Sequence, residues 1–263
     1  MIKNILTIAG SDSSGGAGIQ ADIKTISALG CYAMSVVTAI TAQNTCGVRA
    51  AHLVDPKLVR MQLEAIFDDI HVDAIKIGML GSSEIIYTVA ECLRNQNIPI
   101  VLDPVMVAKS GDALLHADAV NALKEALLPI TTLLTPNLPE AAVLLGQNEA
   151  DSKLTMELQA KALLNLGVNT VLLKGGHLLD DDSPDLLATE NELIWFEEMR
   201  FNTKNTHGTG CTLSSALASF IGRNYSIPEA TSSAKEYLTK AIQNADKLKV
   251  GSGHGPTHHF WKN

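Results

Sequence analysis

The sequence predicts an α/β protein whose largely parallel sheet is covered by helices on both faces. Three observations lead there: short apolar runs alternate with stretches of helical spacing, no linker interrupts the alternation, and polar and glycine residues follow directly after the runs. At 263 residues with no internal repeat, one domain spanning 1–263 is expected.

Residues 2–9 form a β-compatible run that Gly10 ends, and residues 17–29 then show apolar side chains at helical spacing until Gly30 stops them. Strands are expected at 35–41, 48–54, 74–77, 99–102, 132–134 and 170–173. Between and after them, helices are expected at 57–67, 84–93, 118–127, 139–145 and 156–166. A late hairpin at 186–189 and 193–196 precedes helices at 212–222 and 228–245. In open parallel sheets ligands collect beyond the carboxyl ends of the strands. Gly10-Ser11-Asp12, Thr41-Ala42-Gln43-Asn44, Gly78-Met79, Asp103-Pro104-Val105, Pro136-Asn137 and Lys174-Gly175-Gly176 all occupy such ends.

Composition narrows the function classes. With 46% hydrophobic, 18% charged and 4% aromatic residues the core must be aliphatic, and a formal charge of −8 gives no global attraction for nucleic acid or anionic membrane. A phosphate site must therefore be built locally. The amino terminus lacks a long apolar region and a cleavage pattern, and no stretch reaches membrane-spanning length, so a soluble cytoplasmic protein is expected. Cys31, Cys46, Cys92 and Cys211 lie far apart, which indicates reduced thiols.

Several segments carry possible chemistry beside a plainer reading. The glycine-rich turn 10–18 lacks the lysine and hydroxyl of a Walker loop, and its partial dinucleotide pattern lacks an acidic residue after the next strand. Asn137 followed by Glu140 reads either as a capping box or as a carboxylate for magnesium near phosphates. Asp103 reads as a second metal-directed carboxylate or the start of an Asp-Pro turn, and Lys174 as a phosphate contact or a rim lysine. The most informative stretch is Asn205-Thr206-His207-Gly208-Thr209-Gly210-Cys211-Thr212. Its glycines run into a helix, so free backbone N–H groups and the helix dipole converge into an anion hole for a phosphoryl group. Cys211 at that terminus is expected to have a lowered pKa. His254, His258 and His259 are read as structural, because Gly255 and Pro256 interrupt any helix that would align them for a metal.

TIAGSDSSGGAGIQADIKT, TAITAQNTCGV, KIGML, LDPVMVAKSG, LTPNLPEA, LLKGGH, NTHGTGCTLSSA and GSGHGPTHHF occur in this order along almost the whole chain. Together they make the sequence resemble the hydroxymethylpyrimidine/phosphomethylpyrimidine kinases of thiamine biosynthesis, within the ribokinase-like superfamily. The resemblance implies a three-layer α/β/α sandwich with a small lid, ATP and magnesium as cofactors, a pyrimidine substrate, and a homodimer. It assigns Gln43, Gly10, Asp22, Met79 and Val105 to the pyrimidine, and Lys174, Asn137, Lys109 and Thr206 to the nucleotide. Asp103 and Glu140 are implied near magnesium, with Lys109-Ser110-Gly111 as a loop closing over the phosphates. Gly208, Thr209, Gly210 and Cys211 are implied in catalysis. Cys211 stands where most sugar kinases of the superfamily carry an aspartate base, and a thiol is the weaker base unless its pKa is lowered. Pyridoxal or pyridoxamine kinase is the nearest alternative. A non-catalytic pyrimidine binder is another, which the intact phosphoryl-transfer residues oppose.

Overall fold

Apolar runs too short to be helices cross a sheet once each. In the computed structural model, which describes residues 1–106, 117–176, 178 and 183–262, they become β1 (Asn4–Ser11), β2 (Tyr32–Asn44), β3 (Gly47–Leu53), β4 (Ala74–Ile77), β5 (Ile100–Leu102), β6 (Leu133–Leu134), β7 (Val171–Lys174), β8 (Asp185–Ala188) and β9 (Leu193–Phe196). Among the described residues these form one sheet in the order β3-β2-β1-β4-β5-β6-β7-β8-β9. The strands from β2 to β7 in that order pair in parallel, and β3, β8 and β9 join antiparallel at the edges.

Strand alternation sends successive side chains to opposite faces. Leu6, Ile8, Ile75, Ile77 and Leu102 join a core with α2 (Pro56–Phe67), α3 (Ser83–Leu93), α4 (Ala117–Ala122), α5 (Leu138–Leu145) and α6 (Lys153–Leu164). Ile5, Ala74, Val101, Leu133 and Leu172 join the other core, with α1 (Gly18–Ala28), α7 (Thr209–Gly222) and α8 (Ile227–Gln243). The result is the expected three-layer sandwich.

Several boundaries differ from expectation, two of them for evident local reasons. The helix expected at 118–127 is α only through Ala122, widens to a π turn at Leu123–Leu127 and ends as a 3₁₀ turn at Leu128–Ile130. Pro129 in that last turn has no N–H to donate and crowds the carbonyl one turn back. At the other site, α7 starts at Thr209 instead of Thr212, because Gly208 takes the left-handed conformation (φ 78°) that lets the chain enter the helix early.

From β1 the chain passes to β2 on one side and later to β4 on the other. The carboxyl ends of β1 and β4 therefore flank a topological switch point, where a crevice opens. Beyond Ile40, β2 no longer pairs with β1 and continues as a hairpin with its antiparallel partner β3.

Candidate active site

A cavity of about 610 Å³ opens at this switch point, between the carboxyl ends of the strands and the start of α7. Gly10, Gln43, Met79, Val105, Asp103, Asn137, Glu140, Lys174, Thr206, Gly208, Thr209, Gly210 and Cys211 all line it. Lys109 lies outside the described residues, as does the rest of Lys109-Ser110-Gly111.

At one end the strand ends deliver opposite charges. Lys174 at the end of β7 donates to Asp103 after β5 at 2.8 Å, while the Ser214 and Thr135 hydroxyls reach the same carboxylate at 3.3 and 3.4 Å. Burial opposes the charge on Lys174, but Asp103 and Glu140 overcome it and raise the amine's pKa. The capping box is real: Asn137 accepts from the Glu140 N–H and Glu140 accepts from the Asn137 N–H, both at 2.8 Å. The capping residue Glu140 also lines the cavity. Burial pushes the Glu140 carboxyl up to about 7, with Lys174 pulling against it and Asp103 adding to it. A carboxyl in this condition is short of positive charge.

Gly210 explains how close the helix comes. A Cβ there would stand 3.3 Å from Asp103 Oδ2 and 3.5 Å from Lys174 Nζ, so the turn entering α7 lies directly over the ion pair. No side chain caps this helix, which leaves its positive end facing the cavity. Gly208 is held as tightly, because a Cβ on it would come within 1.9 Å of the Gly16 carbonyl.

Gln43, His207 and Asp12 line another part of the same cavity. Gln43 Oε1 accepts from Thr41 Oγ1 at 3.1 Å, and its amide nitrogen lies 3.4 Å from His207 Nε2. His207 Nε2 also meets Asp12 Oδ2 at 2.8 Å. Burial opposes ionisation of Asp12, yet the bonds from His207 and from Ser14 outweigh it and hold the carboxyl down at about 2. Asp12 additionally accepts from the Gly16 and Ala17 N–H groups, so it organises the glycine-rich turn. The tail 251–259 braces this wall: His207 N–H donates to the Gly255 carbonyl at 3.0 Å, and His254 N–H to that of Thr45 at 2.9 Å. His259 is buried beside Thr257, and burial drives its imidazole down to about 3.

Asp22 does not sit where the resemblance put it. It lies behind the pocket, fully buried, where it accepts from Thr7 at 2.6 Å, Ser215 at 2.7 Å and Lys76 at 2.8 and 2.9 Å. Lys76, in contrast, lines the cavity.

A model of the family described as phosphomethylpyrimidine kinase matches residues 12–258. The chain belongs to the phosphomethylpyrimidine kinase family. It is 52% identical over 258 residues to the hydroxymethylpyrimidine/phosphomethylpyrimidine kinase of Salmonella typhimurium, covering 98% of this chain and 97% of that relative. Among solved structures, the phosphomethylpyrimidine kinase of Clostridium difficile is 45% identical with a TM-score of 0.81, covering 91% of this chain and 99% of that one. A Bacillus subtilis pyridoxal kinase, solved as an ADP complex, is 37% identical with a TM-score of 0.91 over 98% of both chains.

For this kinase the sequence misjudged the thiol. Cys211 was expected to have a lowered pKa at the helix terminus, but desolvation dominates and pushes it up to about 11, against the opposing pull of Lys76. At neutral pH it is a thiol. Asp12, His207, Lys76, Ser214 and Ser215 have no assigned role in the sequence reading. For Lys76 a signal existed, because a lysine inside the apolar strand Ala74–Ile77 is out of pattern.

Proposed function

We propose that this kinase transfers the γ-phosphoryl group of ATP to 4-amino-5-hydroxymethyl-2-methylpyrimidine, then a second to the resulting monophosphate, for thiamine biosynthesis. The observation that carries the reading is one cavity lined by two chemically different sets of residues. Lys174 and Asp103 lie under the turn that enters α7, with Glu140 near them, while Gln43, Gly10 and Met79 line the same cavity without charge. In each transfer an acceptor oxygen forms a bond to phosphorus as the bond to the β–γ bridging oxygen breaks and ADP leaves, and in the first the hydroxyl proton passes to an oxygen of the moving phosphoryl group. Lys174 and the backbone of Gly208 to Cys211 offset the charge on the moving group. Gln43 offers an amide donor and acceptor to an aminopyrimidine edge.

Magnesium fits this donor set as a nucleotide-borne ion. Asp103 and Glu140 are hard oxygen donors, Glu140 is short of positive charge, and among the described residues no group of three or more metal-binding side chains forms a dedicated cage. When bound, magnesium would be held on the Asp103 and Glu140 side and would offset phosphate charge there. The protonated Cys211 thiol is not a base in the resting protein, so the first acceptor hydroxyl enters neutral. Exposed apolar side chains on β2, β3 and α2 (Ile40, Leu53, Leu58, Met61) support the homodimer. Absence of any helix able to cross a membrane, among the described residues, agrees with action in the cytoplasm.

Pyridoxal kinase is the second reading, favoured by the likeness to the Bacillus subtilis structure. Side-by-side turnover of hydroxymethylpyrimidine and pyridoxal at equal concentration tests the choice. The expected result is a kcat/KM at least about tenfold higher for the pyrimidine, the discrimination that about 1.4 kcal/mol gives. A preference for pyridoxal overturns the proposal.

A further inference from the structure

A lysine in the middle of a strand buried on both faces needs a reason. Lys76 and Asp22 are both 0% exposed, and burial of such a pair costs about several kcal/mol per ion before their attraction offsets it. Its neighbour on the same face, Ala74, belongs to the aliphatic core against α7. An apolar residue at position 76 would serve stability as well.

The pair is built from four elements. Asp22 comes from α1 and Lys76 from β4, while Thr7 of β1 and Ser215 of α7 donate to the same carboxylate. Lys76 lines the cavity and Asp22 does not, so of the buried pair the lysine is the member on the ligand side. A Cβ at Gly78 would lie 2.7 Å from Lys76 Nζ, and glycine there leaves the ammonium its room. An ammonium carries three donors, and Asp22 takes two of them. Burial works against the charge, but Asp22, with Asp103 adding to it, holds the amine protonated.

We propose that Lys76, positioned by Asp22, is the cation that contacts the acceptor oxygen during phosphoryl transfer. The proposal rests on the kinase reading above and adds a residue to it. In the first transfer the hydroxymethyl oxygen gains negative charge only as its proton leaves for an oxygen of the moving phosphoryl group, while its bond to phosphorus forms and the bond to the β–γ bridging oxygen breaks. A fixed ammonium then stabilises the transition state more than the bound substrate. In the second transfer the acceptor is a phosphate oxygen that is largely ionised before reaction, since the second phosphate pKa is about 6. The same ammonium then also holds the ground state.

Lys76→Met alone leaves Asp22 unpaired, so the decisive variant is Lys76→Met/Asp22→Asn, with folding checked by thermal melting. Loss of a charged hydrogen bond predicts a kcat for hydroxymethylpyrimidine about 10- to 100-fold lower with KM little changed. For the monophosphate, KM should rise about 10-fold or more by the same loss. The KM for ATP should stay within about twofold, because Lys76 is assigned to the acceptor and not to the nucleotide. A folded double variant with wild-type constants, or with equal losses in every constant for both acceptors, overturns the role of Lys76. If wild type prefers pyridoxal, the substrate reading fails while the kcat loss is still expected on that hydroxymethyl acceptor. Wild-type protein that phosphorylates neither acceptor overturns both.

Discussion

Lys235 and Lys174 each meet an aspartate in a buried pair, but only one pair belongs to the cavity. Lys235 of α8 donates to Asp185 at 2.6 Å and to the Ser183 carbonyl at 2.7 Å, and the other oxygen of Asp185 accepts from the Gly175 N–H at 3.0 Å. Every partner there is at full bonding distance. In the Lys174–Asp103 pair only the lysine is close, at 2.8 Å, and the hydroxyls stand at 3.3 and 3.4 Å. One pair is saturated by its own protein and ties β8 to α8. The other keeps bonding capacity toward the ligand space. Residue type and burial do not separate them; saturation and the direction faced do.

The largest effect expected from this contrast is on stability. Lys235→Met should leave Asp185 buried without a cation and cost about 3–5 kcal/mol. At roughly 2–4 °C per kcal/mol for a chain of this size, the melting temperature should fall by about 10 °C. Activity per folded molecule should remain at the wild-type value, and Lys235→Met/Asp185→Asn should recover most of the melting temperature. A large loss of kcat in the folded single variant would break the contrast. Lys174→Met should behave in the opposite way, with kcat/KM for ATP falling about 100-fold, the scale of removing one charge-stabilising donor. Steady-state kinetics with ATP varied would show it, and unchanged constants would place Lys174 with the structural pair.

A smaller and more diagnostic effect concerns Glu140. Its folded pKa, at about 7, lies above the ordinary 4.5, so between those values the folded state binds more protons than the unfolded one. Stability must therefore fall as pH rises through that window. Glu140→Gln keeps the cap acceptor and removes the titration. Without ligands it should match wild type near pH 5 and exceed it at pH 8 by on the order of 2 kcal/mol. Magnesium and ATP should narrow the gap by supplying the missing positive charge. Denaturant titrations at the two pH values measure this, and a pH-independent difference would mean that Glu140 serves only as a cap.

Much of the fold was legible because its signals are local. The strand Ala74–Ile77 and the hairpin strand Leu193–Phe196 match expectation to the residue, since each is an apolar run bounded by polar or glycine residues. The glycine-led entry into α7 was legible for the same reason, as its glycines and its helix are contiguous. Long-range pairing was not. Asp12 and His207 are separated by 195 positions, and nothing near either one announces the other. Asp22 was placed on the wrong side of the cavity wall because only the fold shows that its carboxylate turns back to Lys76. Cys211 was misjudged since the helix terminus, visible in sequence, lowers a thiol pKa, whereas the surrounding burial, invisible there, raises it further.

The central claim is that one cavity performs two successive phosphoryl transfers on one pyrimidine. A quenched time course with enzyme, magnesium, ATP and hydroxymethylpyrimidine, with products separated by charge, tests it directly. The account predicts that monophosphate appears first and then declines as diphosphate accumulates, with two ADP formed for each diphosphate. Monophosphate that accumulates to the end, with added monophosphate left unconverted, would contradict it.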